Sequence, residues 1–159
     1  MGDIRQGAAA ALWQDLVREA QAASGDALDE SRESYLVFVL LRHQRDERLL
    51  ARIQALEWLH AQQQVGRVRT DALRDVGDRC LLVAGLFPDL AQRRRVSVDY
   101  FVDLGRGAYQ AVADAGRDAY AELFAHLAAG YRELVSVLRR IRGPAGAAGL
   151  LRPAPAVLH

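Results

Sequence analysis

The sequence predicts an all-α fold, a single domain built as a bundle of about six helices with orthogonal or mixed packing. Three observations carry that reading. The four prolines stand at 88, 144, 153 and 155, so residues 1–87 can run as helix without interruption. Alanine, leucine, arginine, glutamate and glutamine, all good helix formers, dominate the chain. Apolar residues recur at helical spacing, whereas the strict alternation of a half-buried strand is hard to find. With 159 residues, 51% hydrophobic and 26% charged, the chain has the size and composition of one domain that buries its own core. The expected division is a helical domain over 1–142 and a flexible tail over 143–159, where glycine, alanine and proline accumulate.

The first helix is expected over Ala8 to Ala23, with Ala9, Leu12, Trp13, Leu16, Val17 and Ala20 on one face and charged residues opposite. A second runs from Ser31 to Gln44; its centre, Leu36 to Leu41, is apolar all round, which suits the middle of a bundle. The third spans Glu47 to Gln64, with QVGRVRTD as its exit loop and Thr70 or Asp71 capping the fourth. That fourth helix ends before Pro88 and sets Leu73, Val76, Cys80, Val83, Ala84 and Phe87 on one face. Gly77 and Gly85 lower its helix propensity by about 1 kcal/mol each, for which close packing of a neighbouring helix is the expected reason. A short turn over Asp89 to Arg94 leads to Ser97, an N-cap candidate with Asp99 favourably placed in the first turn. The last helix is expected to run unbroken from Arg117 to Ile141, burying Tyr120 among others.

Composition excludes several chemistries. The formal charge is +1, with 21 basic and 20 acidic residues mixed along the chain. No whole-molecule field would draw it to nucleic acid or an anionic membrane, so a basic site has to be local. Every basic residue other than histidine is arginine and asparagine is absent, a codon bias that points to a GC-rich bacterial genome. The single cysteine, Cys80, rules out an internal disulfide or a cysteine-rich metal site. The N-terminal stretch lacks signal-peptide form, and the longest apolar run, YLVFVLL at 35–41, is far short of the roughly 20 residues that span a bilayer. A cytoplasmic location without membrane association is expected.

Four groups of residues are candidates for function. Glu57 and His60, in EWLH, have the Glu-x-x-His spacing that forms half of a carboxylate-bridged di-metal site. His60 falls in a stripe with Leu49, Ile53 and Leu56; a second half-site is missing, since Glu122 and His126 are spaced by four. A satisfied histidine is the competing reading, and no cofactor is expected. Arg67, Arg69, Arg93, Arg94 and Arg95 would hold a nucleotide, phosphate or acidic partner if they met in space, with Arg139, Arg140 and Arg142 as a further cluster. The competing reading is helix capping and neutralisation by nearby aspartates; with Tyr100 the only aromatic candidate near the arginines, nucleic acid is disfavoured. Trp58 points away from Leu49, among Ala51, Ala55 and Gln62, and would either anchor an interface or be covered by another helix. Cys80 reads as core, and no serine sits in a nucleophile setting. The expectation is therefore a non-catalytic binding module that forms a homodimer or docks a protein partner. The alternatives are an anion- or nucleotide-binding protein and a metal-dependent enzyme using Glu57 and His60.

Overall fold

A computed structural model describes residues 2–43, 54–93 and 95–141, and over them the chain is an all-α bundle. Its helices are α1 (Gly2–Ser24), α2 (Glu30–His43), α3 (Gln54–Gln63), α4 (Gly66–Leu86), α5 (Pro88–Arg93), α6 (Val98–Asp114), α7 (Ala119–Ala129) and α8 (Tyr131–Arg139). No helix among the described residues is long and apolar enough to cross a membrane. The tail expected over 143–159 lies outside the described residues, as do residues 47–53 of the expected third helix.

Two differences raise the helix number above the expected six. The turn after Pro88 is itself a short helix, α5. The expected last helix is broken at Gly130, which is buried and whose backbone leaves helical geometry at ψ 20°. Glycine weakens a helix most of any residue except proline, and here the Arg32 guanidinium lies where a side chain at 130 would project. The start of α4 also differs: it begins at Gly66, four residues before Thr70. Val65 is its extended N-cap without a side-chain cap, and the Thr70 hydroxyl bonds back to Gly66 O at 3.2 Å inside the helix. Gly66 takes φ 60°, a left-handed conformation that glycine adopts without strain, and so turns the chain from α3 into α4. Ser97 caps α6 as expected, accepting a bond from Tyr100 N at 3.1 Å.

Helix α4 is the axis of the bundle, packed against α6, α3 and α8, while α1 rests on α2 and α8. Its second half is enclosed: Val76 to Gly85 are all buried except Arg79. The glycines explain how neighbours come so close. A Cβ at Gly77 would collide with the Tyr109 ring, one at Gly105 with the Tyr131 hydroxyl, and one at Gly85 with Leu138. Around them Tyr35, Tyr109, Phe124 and Tyr131 meet edge to face with ring centroids 5.2–6.0 Å apart, contacts each worth about 1 kcal/mol beyond the area they bury.

The outer helices are more one-sided than expected. In α1, Trp13, Leu16, Val17 and Ala20 are buried, but Leu12, about 90° from the centre of that stripe, is 47% exposed. The centre of α2 is not apolar-packed all round: Tyr35, Leu36, Val39, Leu40 and His43 face the core while Phe38 is 46% exposed. Tyr120, expected in the core, is 41% exposed.

Candidate functional site

The first polar feature is a buried chain of side chains that starts in the middle of α4. Asp78 is fully buried, and its Oδ1 accepts hydrogen bonds from the Tyr35 hydroxyl at 2.7 Å and the Tyr109 hydroxyl at 2.6 Å. Its Oδ2 faces Arg42 Nη1 at 3.6 Å and His43 Nε2 at 3.7 Å, in ion-pair range but beyond hydrogen-bond length. Arg42 also pairs with Asp75 at 2.7 Å, closer to the surface. Burial, followed by the charge of Asp78, pushes the Tyr35 and Tyr109 phenols far above their usual values. Tyr131, whose hydroxyl donates to Gly77 O at 2.8 Å, is raised by burial first and Cys80 next. Burial alone raises the Cys80 thiol, so at neutral pH it is a protonated core group rather than a nucleophile. The tyrosines stay protonated, and the Tyr35 and Tyr109 hydroxyls tie α2 and α6 to α4 by pointing at one carboxyl. No sequence signal singled out Asp78. The available clue was an acid inside GDRCLLVAG, at the start of the enclosed half of its helix.

The hairpin of α3 and α4 carries the other expected sites, and α3 is turned about half-way round from expectation. Trp58 lies half-buried over Val76, Cys80 and Ala108, so α4 and α6 cover it. Ala61 on the same helix is fully buried, while Leu56 and Leu59 are 58% and 57% exposed. The indole buries more apolar surface than either leucine, and that area sets the rotation. His60 is therefore exposed rather than inside a stripe, with Gln64 Nε2 3.4 Å from its Nε2. No group of three or more histidine, cysteine, aspartate or glutamate side chains able to hold a metal occurs among the described residues. Ala55 is half-buried, and exposed Gln62 accepts a bond from Arg69 Nη2 at 2.8 Å. Ala51 lies outside the described residues. His126, on α7, meets Asp29 across to the start of α2. The backbone bond from Arg32, and then His126 acting against burial, hold the Asp29 carboxyl below its usual value.

The arginines divide between the two ends of α4. Gly105 packs on Cys80 and Tyr109 on Gly77, so α6 runs antiparallel to α4 and begins beside its C-terminal end. Arg67 and Arg69 stand at the N-terminal end, about 30 Å from Phe87 by helical rise. Arg93 closes α5 and exposed Arg95 precedes the Ser97 cap, at the far end; Arg94 lies outside the described residues. Arg67 and Arg69 therefore do not meet Arg95. Arg139 and Arg140 instead share the far end with Arg95: the Arg139 Nε reaches Ala84 O at 3.4 Å. With Arg132, Ser136 and Asp99 they line a shallow cleft of about 270 Å³. Arg132 is shared between Asp99 at 3.6 Å and Asp103 at 3.8 Å.

A larger cleft, about 430 Å³, opens at the N-terminal end of α4. One wall is the α4 stripe Arg67, Thr70, Asp71 and Arg74; the other is the turn from α6 into α7, with Ala115, Gly116 and Tyr120. The stripe follows i, i+3, i+4, i+7, one face of a helix. Asp118 borders the cleft and caps α7, accepting from Ala121 N at 3.0 Å. Burial works against the Arg74 charge, but its hydrogen bond to Tyr120 and the nearby Asp78 outweigh it and hold the guanidinium charged.

Comparison of the chain with protein-family models, with curated proteins and with solved structures returned no match.

Proposed function

We propose that this chain is a non-catalytic protein-interaction module that self-associates through the α3–α4 hairpin. One observation carries the reading. Of the eight exposed large hydrophobic residues among those described, four (Leu56, Leu59, Val65 and Val68) fall within this single hairpin. Water-exposed leucine and valine concentrated on one element mark an interaction surface. A second copy is the simplest occupant, because the same face can pair with itself about a two-fold axis and needs no other complementary shape. Trp58 supports the face from beneath by fixing α3 on α4 and α6. The composition and the lone, core-packed cysteine suit a bacterial cytoplasmic protein.

The test is native mass spectrometry or light scattering on the wild type and on a Leu59→Asp/Val68→Asp variant. The wild type is expected as a dimer or larger, and the variant as a folded monomer of unchanged helicity. A wild type that stays monomeric at high micromolar concentration removes the reading.

A second reading rests on the far end of α4, where Arg132, Arg139 and Arg140 gather beside Ser136. There the chain would take a small anion or nucleotide, the guanidinium forks meeting phosphate oxygens. Such binding falls steeply with salt and weakens in Arg140→Ala; affinity for ATP or inorganic phosphate that ignores salt removes it.

A further inference from the structure

We infer that the cleft between α4 and the α6–α7 turn is a binding site for a small zwitterion of the amino-acid class. Three polar groups of the cleft are already engaged. Arg74 is committed, hydrogen-bonded to Tyr120 and 3.9 Å from Asp75. Asp118 is committed to the α7 N-terminus, and the Thr70 hydroxyl to Gly66 O. Arg67 and Asp71 make no ion pair with each other or with any other described residue, yet both line the cleft. They stand one helical turn apart on the same face, with the arginine preceding the acid, the order that pairs less well along a helix. The cleft thus presents one uncommitted cation and one uncommitted anion, about 5–6 Å apart at their Cβ atoms.

That arrangement selects by charge pattern. An isolated phosphate or carboxylate would meet Arg67 and Arg74 but be opposed by Asp71 and Asp118; a simple amine would meet the two aspartates but be opposed by the two arginines. A molecule carrying a carboxylate and an ammonium on neighbouring atoms satisfies both, with the carboxylate on the Arg67 fork and the ammonium on Asp71. The rest of the space is larger than those two groups require, since 430 Å³ lies within the range of small-molecule sites. Val112, Ala121 and the partly exposed Tyr120 ring offer an apolar seat for a side chain. Arg74, locked against Tyr120, holds that ring in place and is a positioning residue for the site.

The experiment is amide NMR of the full chain titrated with each of the twenty proteinogenic amino acids at millimolar concentration, with acetate, inorganic phosphate and tyramine as single-charge comparators. The expected result is saturable shifts around residues 67–74 and 115–121 with at least one amino acid. Arg67→Ala and Asp71→Asn should each weaken that binding about tenfold or more, the loss of one charge-assisted contact, while Arg106→Ala, at an exposed position on α6, leaves it unchanged. Arg67 is exposed and Asp71 partly so, and matching circular dichroism spectra confirm that the variants fold. Three outcomes overturn the inference: no amino acid saturates, a single-charge comparator binds as tightly, or Asp71→Asn binds like the wild type.

Discussion

The two halves of α4 belong to one helix and behave as different materials. From Val76 to Gly85 the helix is enclosed, glycines admit Tyr109 and Leu138 at backbone distance, and the one buried acid, Asp78, is held by two phenols. From Gly66 to Asp75 only Leu73 is buried; this half carries Val68 on the hairpin and the Arg67–Arg74 wall of the cleft. The second half fixes the bundle so that the first can present groups to water. Stability and binding are thereby separated along the helix, and substitutions should have opposite signatures at its two ends.

The largest effect is expected from Asp78→Ala. It leaves the Tyr35 and Tyr109 hydroxyls buried without their acceptor, at about 1–3 kcal/mol each, so urea unfolding should show a loss of about 4 kcal/mol. Asp78→Asn, which keeps an acceptor oxygen, should lose clearly less. Gly105→Ala comes next, at about 3 kcal/mol, because its methyl meets the Tyr131 hydroxyl and the Cys80 side chain, neither of which has room to retreat. A loss below about 0.5 kcal/mol there would mean that α6 is not seated on α4 as described.

Alkaline pH should attack the same half. Cys80, Tyr35, Tyr109 and Tyr131 all have raised values in the fold. Above about pH 8.5 for the thiol and about pH 10 for the phenols, the unfolded chain releases protons that the folded chain keeps. Stability is therefore whole below that window and falls as pH rises through it, by up to about 1.4 kcal/mol per pH unit for each group. The urea midpoint measured from pH 7 to 11 checks the sign, and Cys80→Ala should delay the onset. Ser97→Ala, which removes the α6 cap next to this half, should cost about 1 kcal/mol. The smallest effect belongs to the other half: Val68→Thr should change monomer stability by less than about 0.5 kcal/mol. If it costs as much as Ser97→Ala, the hairpin face is packed rather than open and the contrast between the halves fails.

Part of this was legible from residue types alone. Helix was predictable wherever proline was absent and apolar spacing was regular. The Ser97 cap was visible because capping needs only a short polar side chain at a helix start, and close packing at Gly77 and Gly85 because glycine inside a helix has a cost that contact can offset. The buried face of helix α3 stays open in the sequence for a physical reason: its leucines and Trp58 define two opposed faces, and which one is buried depends on the neighbour available. Trp58 found a seat over Val76, Cys80 and Ala108, which no periodicity reveals.

The sequence by itself determined an all-α chain of one domain's size, its Ser97 cap and its core-packed cysteine, because these follow from local propensity and from composition. Only the tertiary structure decided the break at Gly130, the burial of Asp78 between two tyrosines, and the separation of the arginines to opposite ends of α4. The cleft that joins Arg67 and Asp71 to the α6–α7 turn belongs with them. Each of these depends on residues distant in the chain meeting in space, and a helical repeat encodes which side of a helix faces inward far better than what it will find there.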